Sequence, residues 1–413
     1  MNIYGIIILA ALLIGYTLEL LSDLLNIQAL KSKLPDELYG IYDESSYAKS
    51  QQYTRAQTRF GLITDSVDLL VILLVWFSGW FNELDLYLRH FGFNTILTGL
   101  LFTGILLLGK LIYSLPFQIY STFVIEEKFG FNKTKPITFI LDLIKVIILS
   151  ILFGGLVLSS LLAIFEYAGP GAWFYCWVVT TMFILFIQII APTWIMPLFN
   201  KFTPLEEGEL KTAIMEYAES VNFSLENIFV IDGSRRSGKS NAFFTGFGKH
   251  KRIALFDTLV SKHSVEELVA ILAHEIGHYK RRHLLKGMVI TIIHLGFMLY
   301  FLSIFVSHKG LFDAFYMTSP SVYAGFIFFG LLFSPIEMIV SVVLNYFSRN
   351  NEYEADRFAA GTIDNPDNLI LALKKLSVNN LSNLTPHPLN VFLHYSHPTL
   401  LSRIDAIHTS AGR

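Results

Sequence analysis

Residues 264–306 read SVEELVAILAHEIGHYKRRHLLKGMVITIIHLGFMLYFLSIFV, and two patterns meet inside this one stretch. Its first part is amphipathic, because Val265, Leu268, Val269, Leu272 and Ile276 recur at helical spacing. Its second part, Leu285 to Val306, is apolar and long enough to cross about 30 Å of hydrocarbon at about 1.5 Å per residue. A helix from about Ser264 is therefore expected to run from water into a membrane span. The chemistry lies in Ala273-His274-Glu275-Ile276-Gly277-His278, an HExxH pattern. Four residues is slightly more than one helical turn, so His274 and His278 project from one face and can both reach a metal about 2.0–2.1 Å away. Glu275 falls about 100° around the helix, off the ligand face but within reach of a water on the metal, where a general base belongs.

Either side of this stretch the chain stays apolar. Of its 413 residues 53% are hydrophobic and the mean hydropathy is +0.52, above an ordinary soluble domain. Six further runs have the length of a span: Ile3 to Leu21, Leu62 to Phe81, Thr95 to Phe117, Ile137 to Phe165, Trp173 to Phe199 and Val322 to Phe347. Met1 to Gly5 carries no Lys or Arg, and no small-residue cleavage site follows Leu21, so the first run reads as a retained span and not a signal peptide. The loops after spans one, three and five hold 5, 3 and 12 basic residues and the tail holds 6, against 1, 0 and 1 in the loops after spans two, four and six. Positive charge stays cytoplasmic, which places the N-terminus outside and the C-terminus in the cytoplasm. With topology accounting for the basic residues and a net charge of −2, the bilayer is an expected partner and nucleic acid is not. The single cysteine, Cys176 in span five, excludes an intramolecular disulfide.

The chain thus divides into residues 1–199 with spans one to five, a cytoplasmic segment 200–284, residues 285–347 with spans six and seven, and a second cytoplasmic segment 348–413. The two polar segments are expected to form one domain. In the first, the pattern predicts a helix over Glu206 to Val221, a strand at Ile228 to Ile231, and a hairpin-like pair, Asn241 to Phe247 and Arg252 to Phe256, joined at Gly248-Lys249-His250.

A catalytic metal wants a third protein ligand and an open position for water. Beyond span seven, Glu352 and Asp356 are four apart and share a helix face, whereas Glu354 is rotated about 200° from Glu352. Glu352 is the expected third ligand, Glu354 a solvated neighbour, and Asp356 is free to accept the other ring N–H of a ligating histidine. Zinc, one ion per chain, is the expected cofactor, and the pattern points to metal-assisted hydrolysis with Glu275 as proton carrier.

A competing pattern, Gly233-Ser-Arg-Arg-Ser-Gly238-Lys239-Ser240, matches the phosphate-binding GxxxxGK[ST] loop. Such a loop must open a helix, but the next residues, Asn241-Ala-Phe-Phe-Thr-Gly246-Phe-Gly248, are strand-like. A nucleotide-binding membrane protein is the remote alternative. The preferred reading is a flexible basic loop leading into a strand.

Taken together, these residues resemble the membrane zinc metallopeptidases typified by the type I CAAX prenyl endopeptidase, which include the prelamin A protease. Glu127-Lys-Phe-Gly-Phe-Asn132, Met196-Pro-Leu-Phe-Asn200 and Ser240-Asn-Ala-Phe-Phe244 look like further signatures of that family. The resemblance implies an all-α integral membrane protein, seven helices around a large intramembrane chamber, with a small α+β zincin-like domain on the cytoplasmic side. It implies that Asn241, Ala242 and Phe243 bind substrate backbone as an edge strand, with a side-chain hydrogen bond from Asn241. It also implies that His397 stabilises the oxyanion and that Arg403 braces the site. His394, His387 and Arg403 carry less weight, since a polar surface role serves a tail residue equally well. The implied substrate is a peptide or prenylated protein cut behind its lipidated cysteine; membrane-protein quality control without prenyl substrates is the alternative. The compartment leans toward a bacterial plasma membrane, or the endoplasmic reticulum in a eukaryote.

Ionisable residues inside spans are costly and line an aqueous path or pair with each other. Asp65, Asp68, Lys110, Asp142, Lys145 and Glu337 are of this kind, with Asp142 and Lys145 placed to pair.

Overall fold

A computed structural model describes residues 1–31, 34, 39, 43–225, 227–245 and 252–410. Among the described residues, seven helices are long and apolar enough to cross a membrane: Ile3–Ala29, Glu44–Phe77, Thr95–Glu126, Pro136–Tyr167, Gly169–Phe199, His283–Phe305 and Val322–Ala360. They correspond one to one with the seven expected spans, but several continue past the apolar run. Span two starts at Glu44 because Asp43 caps it, accepting a hydrogen bond from the Ser46 amide at 2.7 Å, and its first turns are polar. It stops at Phe77, before the expected Phe81, because Gly79 adopts φ +72° and a separate helix, Trp80–Arg89, turns away.

That turn closes the end of the bundle remote from the polar segments. Trp76, Phe81, Phe315 and Phe328 are almost fully buried there, with the Phe315 and Phe328 rings stacked 3.9 Å apart. Asp85, wholly buried, pairs with Arg89 at 2.8 Å and accepts the Tyr323 hydroxyl, so the charge has the partners burial demands. Within the bundle, residues of spans one, two, three and seven bound a cavity of about 930 Å³ that Glu19, Asp65, Asp68 and Lys110 line. Asp142 and Lys145 do pair, at 3.3 Å, and Glu337 meets His294 at 3.2 Å.

At the other end the two polar segments pack as one α+β unit. Its sheet has the order β1-β2-β4-β3, with β1 Phe202–Pro204, β2 Asn227–Ile231, β3 Ala242–Thr245 and β4 Arg252–Phe256. β2 and β4 run parallel and the outer pairs are antiparallel, which leaves β3 at an edge. The turn expected at Gly248-Lys249-His250 lies outside the described residues. Helix Glu209–Ser220 is slightly shorter than the expected 206–221. One core unites both segments: Ile214, Ile253, Leu255, Leu259, Leu268, Leu272 and Ile276 of the first bury against Ala359, Leu369 and Ile407 of the second.

The helix of the HExxH pattern, Val265–Lys280, does not run unbroken into span six. Arg282 takes the left-handed conformation, φ +59°, and span six begins afresh at His283. Span seven behaves in the opposite way. It continues as one helix from Val322 through Ala360 and carries Glu352 and Asp356 into the polar domain.

Candidate metal centre

Ser264 starts the motif helix with a reciprocal capping box: its hydroxyl accepts from the Glu267 amide at 3.3 Å, and the Glu267 carboxylate accepts from the Ser264 amide at 3.1 Å. The apolar face then anchors the helix in the core, and the opposite face presents His274, Glu275 and His278 to a pocket of about 390 Å³. Gly277 settles how close the second ligand-bearing helix can come. A Cβ there would lie 3.0 Å from the Ala355 carbonyl oxygen and 3.1 Å from its Cα, so the bare glycine lets span seven pass against the motif helix.

The close approach brings Glu352 onto the two histidines. Its Oε2 lies 3.4 Å from His274 Nε2 and its Oε1 3.2 Å from His278 Nε2, and the two Nε2 atoms are 3.0 Å apart. Ligand atoms of all three residues fall within 4.8 Å of one another. Among the described residues, Glu352 Oε2 is buried without a hydrogen-bond donor. Two imidazole nitrogens and a buried carboxylate oxygen converging in this way are the donor set of a catalytic metal and fit one divalent ion with a position to spare.

Each histidine is oriented from behind. His274 Nδ1 donates to Asp356 Oδ1 at 2.8 Å, and Arg403 holds that carboxylate in a fork of 2.8 and 2.6 Å. Arg403, given little weight from sequence, is thus deep in the site. His278 Nδ1 lies 3.0 Å from His283 Nδ1, and His283 Nε2 lies 3.1 Å from Glu354 Oε2. Glu354 is therefore a partner of His283 and not merely a solvated neighbour. Helical spacing could not reveal this relay, since five residues along an unbroken helix would set His283 about 140° from His278. The turn at Arg282 brings it back. Replacing His283 with Ala is expected to weaken metal affinity about 10- to 100-fold, read by competition with a chromogenic chelator. Unchanged affinity would remove His283 from the centre.

Glu275 lines the same pocket. Burial pushes its carboxyl above the ordinary range, and the neighbouring histidines pull the other way. Asn241, Ala242, His397 and Arg403 also face the pocket, His397 with Nε2 3.4 Å from Glu352 Oε1 and most of its surface exposed. Phe243 does not line it, and its ring packs toward Phe256. His394 and His387 are elsewhere: His394 pairs with Glu19 of span one at 3.0 Å, and His387 caps helix Pro388–His394.

The segment resembling a phosphate loop opens no helix, because Ser240 leads into β3. Its residues have structural work instead. A Cβ on Gly233 would strike the Phe256 ring at 2.1 Å, and Ser240 Oγ donates to the Thr258 carbonyl at 3.0 Å.

Against known proteins, residues 204–411 match the description of peptidase family M48, and residues 23–201 match the CAAX prenyl protease N-terminal region of five membrane helices. The chain belongs to peptidase family M48. It is 37% identical to CAAX prenyl protease 1 of Saccharomyces cerevisiae, covering 91% of this chain and 89% of the relative. It is 33% identical to CAAX prenyl protease 1 homolog of Homo sapiens, covering 97% and 95%. The crystal structure of S. mikatae Ste24p superposes with a TM-score of 0.93 at 34% identity, over 98% of this chain and 99% of that one. The M48 chain described here is accordingly a multi-pass membrane metalloprotease, with seven transmembrane helices around an intramembrane chamber and a small α+β protease domain.

Proposed function

We propose that this metalloprotease is a zinc endopeptidase that removes the C-terminal residues of prenylated proteins. The observation that carries the reading is the convergence of His274, His278 and Glu352 beside the free edge of β3. His274, His278 and Glu352 hold the ion, one per chain, with Asp356, Arg403 and His283 fixing the ligands. Zinc, when bound, polarises the scissile carbonyl and makes water acidic enough to attack near neutral pH. Glu275 takes the proton of the attacking water and delivers it to the leaving amine. The backbone of Ala242, which faces away from β4, pairs with an extended substrate, while Phe243 turns its own N–H and C=O toward β4; Asn241 adds a side-chain hydrogen bond, and His397 donates to the carbonyl oxygen as charge develops on it. The relatives named CAAX prenyl protease 1 support the substrate class, and a lipid tail has room in the cavity between spans one, two, three and seven.

The asymmetry of basic residues supports an N-terminus outside and the protease domain in the cytoplasm. The eukaryotic relatives favour the endoplasmic reticulum over a bacterial plasma membrane. The test is cleavage, by detergent-purified protein, of a farnesylated CAAX peptide and the same peptide without its lipid. A preference of at least tenfold in kcat/KM for the farnesylated form is expected. Equal rates would sink the prenyl assignment and move the substrate toward other membrane proteins.

A further inference from the structure

The segment before the edge strand, expected from the sequence to be a flexible basic loop, is bonded to membrane-domain residues at several points. On one side it adds to the connection between spans three and four. The Gly238 amide donates to the Phe131 carbonyl at 2.8 Å, the Lys133 amide donates to the Arg236 carbonyl at 3.0 Å, and Asn132 and Ser237 form an antiparallel bridge. The Arg236 guanidinium grips Asp142 of span four in a fork of 2.7 and 3.0 Å.

Lys239 has the most specific partners. Its ammonium donates to the Tyr53 hydroxyl at 2.6 Å, lies 3.2 Å from Glu126 Oε2, and sits 4.8 Å from the centre of the Phe131 ring. Tyr53, from the polar start of span two, in turn donates to Glu126 Oε1 at 2.5 Å, where span three ends. On its other side the segment belongs to the protease domain. The Lys239 carbonyl accepts from Thr258 Oγ1 at 2.8 Å, and the Ser240 backbone exchanges two hydrogen bonds with the Asn380 amide, at 2.9 and 3.0 Å. Immediately beyond this clamp come Asn241 and Ala242, which face the metal pocket.

We propose that Lys239 is a positioning residue: its strut to Tyr53 and Glu126 fixes the substrate strand relative to the metal ligands, so the membrane domain sets the register in which a peptide binds. The proposal rests on β3 being the strand that takes substrate. Lys239 touches neither metal ligand nor pocket, and it acts through the two residues after it. A substrate pairing with β3 forms its hydrogen bonds to a strand already held in place, and without the strut each binding event must also order that strand.

Metal-loaded, full-length Lys239→Met is expected to raise KM for a cleaved peptide about tenfold, with kcat within about twofold of wild type and metal content unchanged. Lys239→Arg, which keeps the charge, is expected to recover most of the loss. Glu126→Gln should raise KM as well, and Lys239→Met combined with Glu126→Gln should cost less than the product of the two, since both break one strut. If Lys239→Met does not fold, Lys239→Arg and Glu126→Gln carry the same comparison. Asn241→Ala tests the strand apart from the strut. An unchanged KM in Asn241→Ala removes β3 as the substrate strand and the strut's purpose with it. A raised KM there, with KM unaltered in the Lys239 and Glu126 variants, overturns the strut alone. Loss of metal and of kcat together in Lys239→Met also overturns it, because that is a structural defect.

Discussion

Glu275→Gln is expected to lower kcat by about 10²- to 10⁴-fold while the protein keeps its metal and its fold. The reason is local. Glu275 is one residue from His274 and lines the pocket, yet it is not among the three residues whose ligand atoms converge. An amide has nearly the shape of the carboxylate and cannot accept the proton. KM should move little, since β3 and not Glu275 holds the peptide, and a carboxylate that burial disfavours is replaced by a neutral group, so thermal stability should hold or rise. The check is metal analysis, a thermal melt and single-turnover cleavage on one preparation. Residual cleavage within tenfold of wild type would remove Glu275 as the base. Metal loss in this variant would make it a ligand.

The second large effect is expected from Glu352→Ala. The change removes the only oxygen donor of the trio and leaves Arg403, 3.5 Å away, with one counter-charge fewer at the centre. Metal content should fall below a tenth per chain in dialysed protein, and cleavage should become undetectable. A chelator supplies the control. It should lower the melting temperature of wild type, because a ligand that binds only the folded chain stabilises it by mass action, and it should leave Glu352→Ala where it was. A variant that keeps its metal, or a wild-type melt indifferent to chelator, would dismiss Glu352 as the third ligand.

Local periodicity decides how much of this was legible in the sequence. The seven apolar runs are visible because hydrocarbon demands long apolar helices, and their limits blur wherever a helix continues into water, as at Glu44–Gly61 and beyond Phe347. His274, His278, Glu352 and Asp356 are visible because ligands four apart on a helix share a face. His283, Glu354 and the strut of Lys239 are through-space pairs created by turns. His283 needs the left-handed Arg282, and Lys239 meets Tyr53 across 186 residues of chain. No periodicity records such a meeting. The phosphate-loop pattern misleads for the same reason: Gly233 is a glycine because of an aromatic ring from β4, not because of an anion.

Spans six and seven differ in how they join the polar domain. Span six is jointed at Arg282 before it meets the motif helix, whereas span seven carries Glu352 on a rod that is unbroken from Pro335, about 25 Å long. The three donors therefore come from two differently anchored helices, and the contact of Gly277 with the Ala355 backbone is what keeps the histidines and Glu352 in one place.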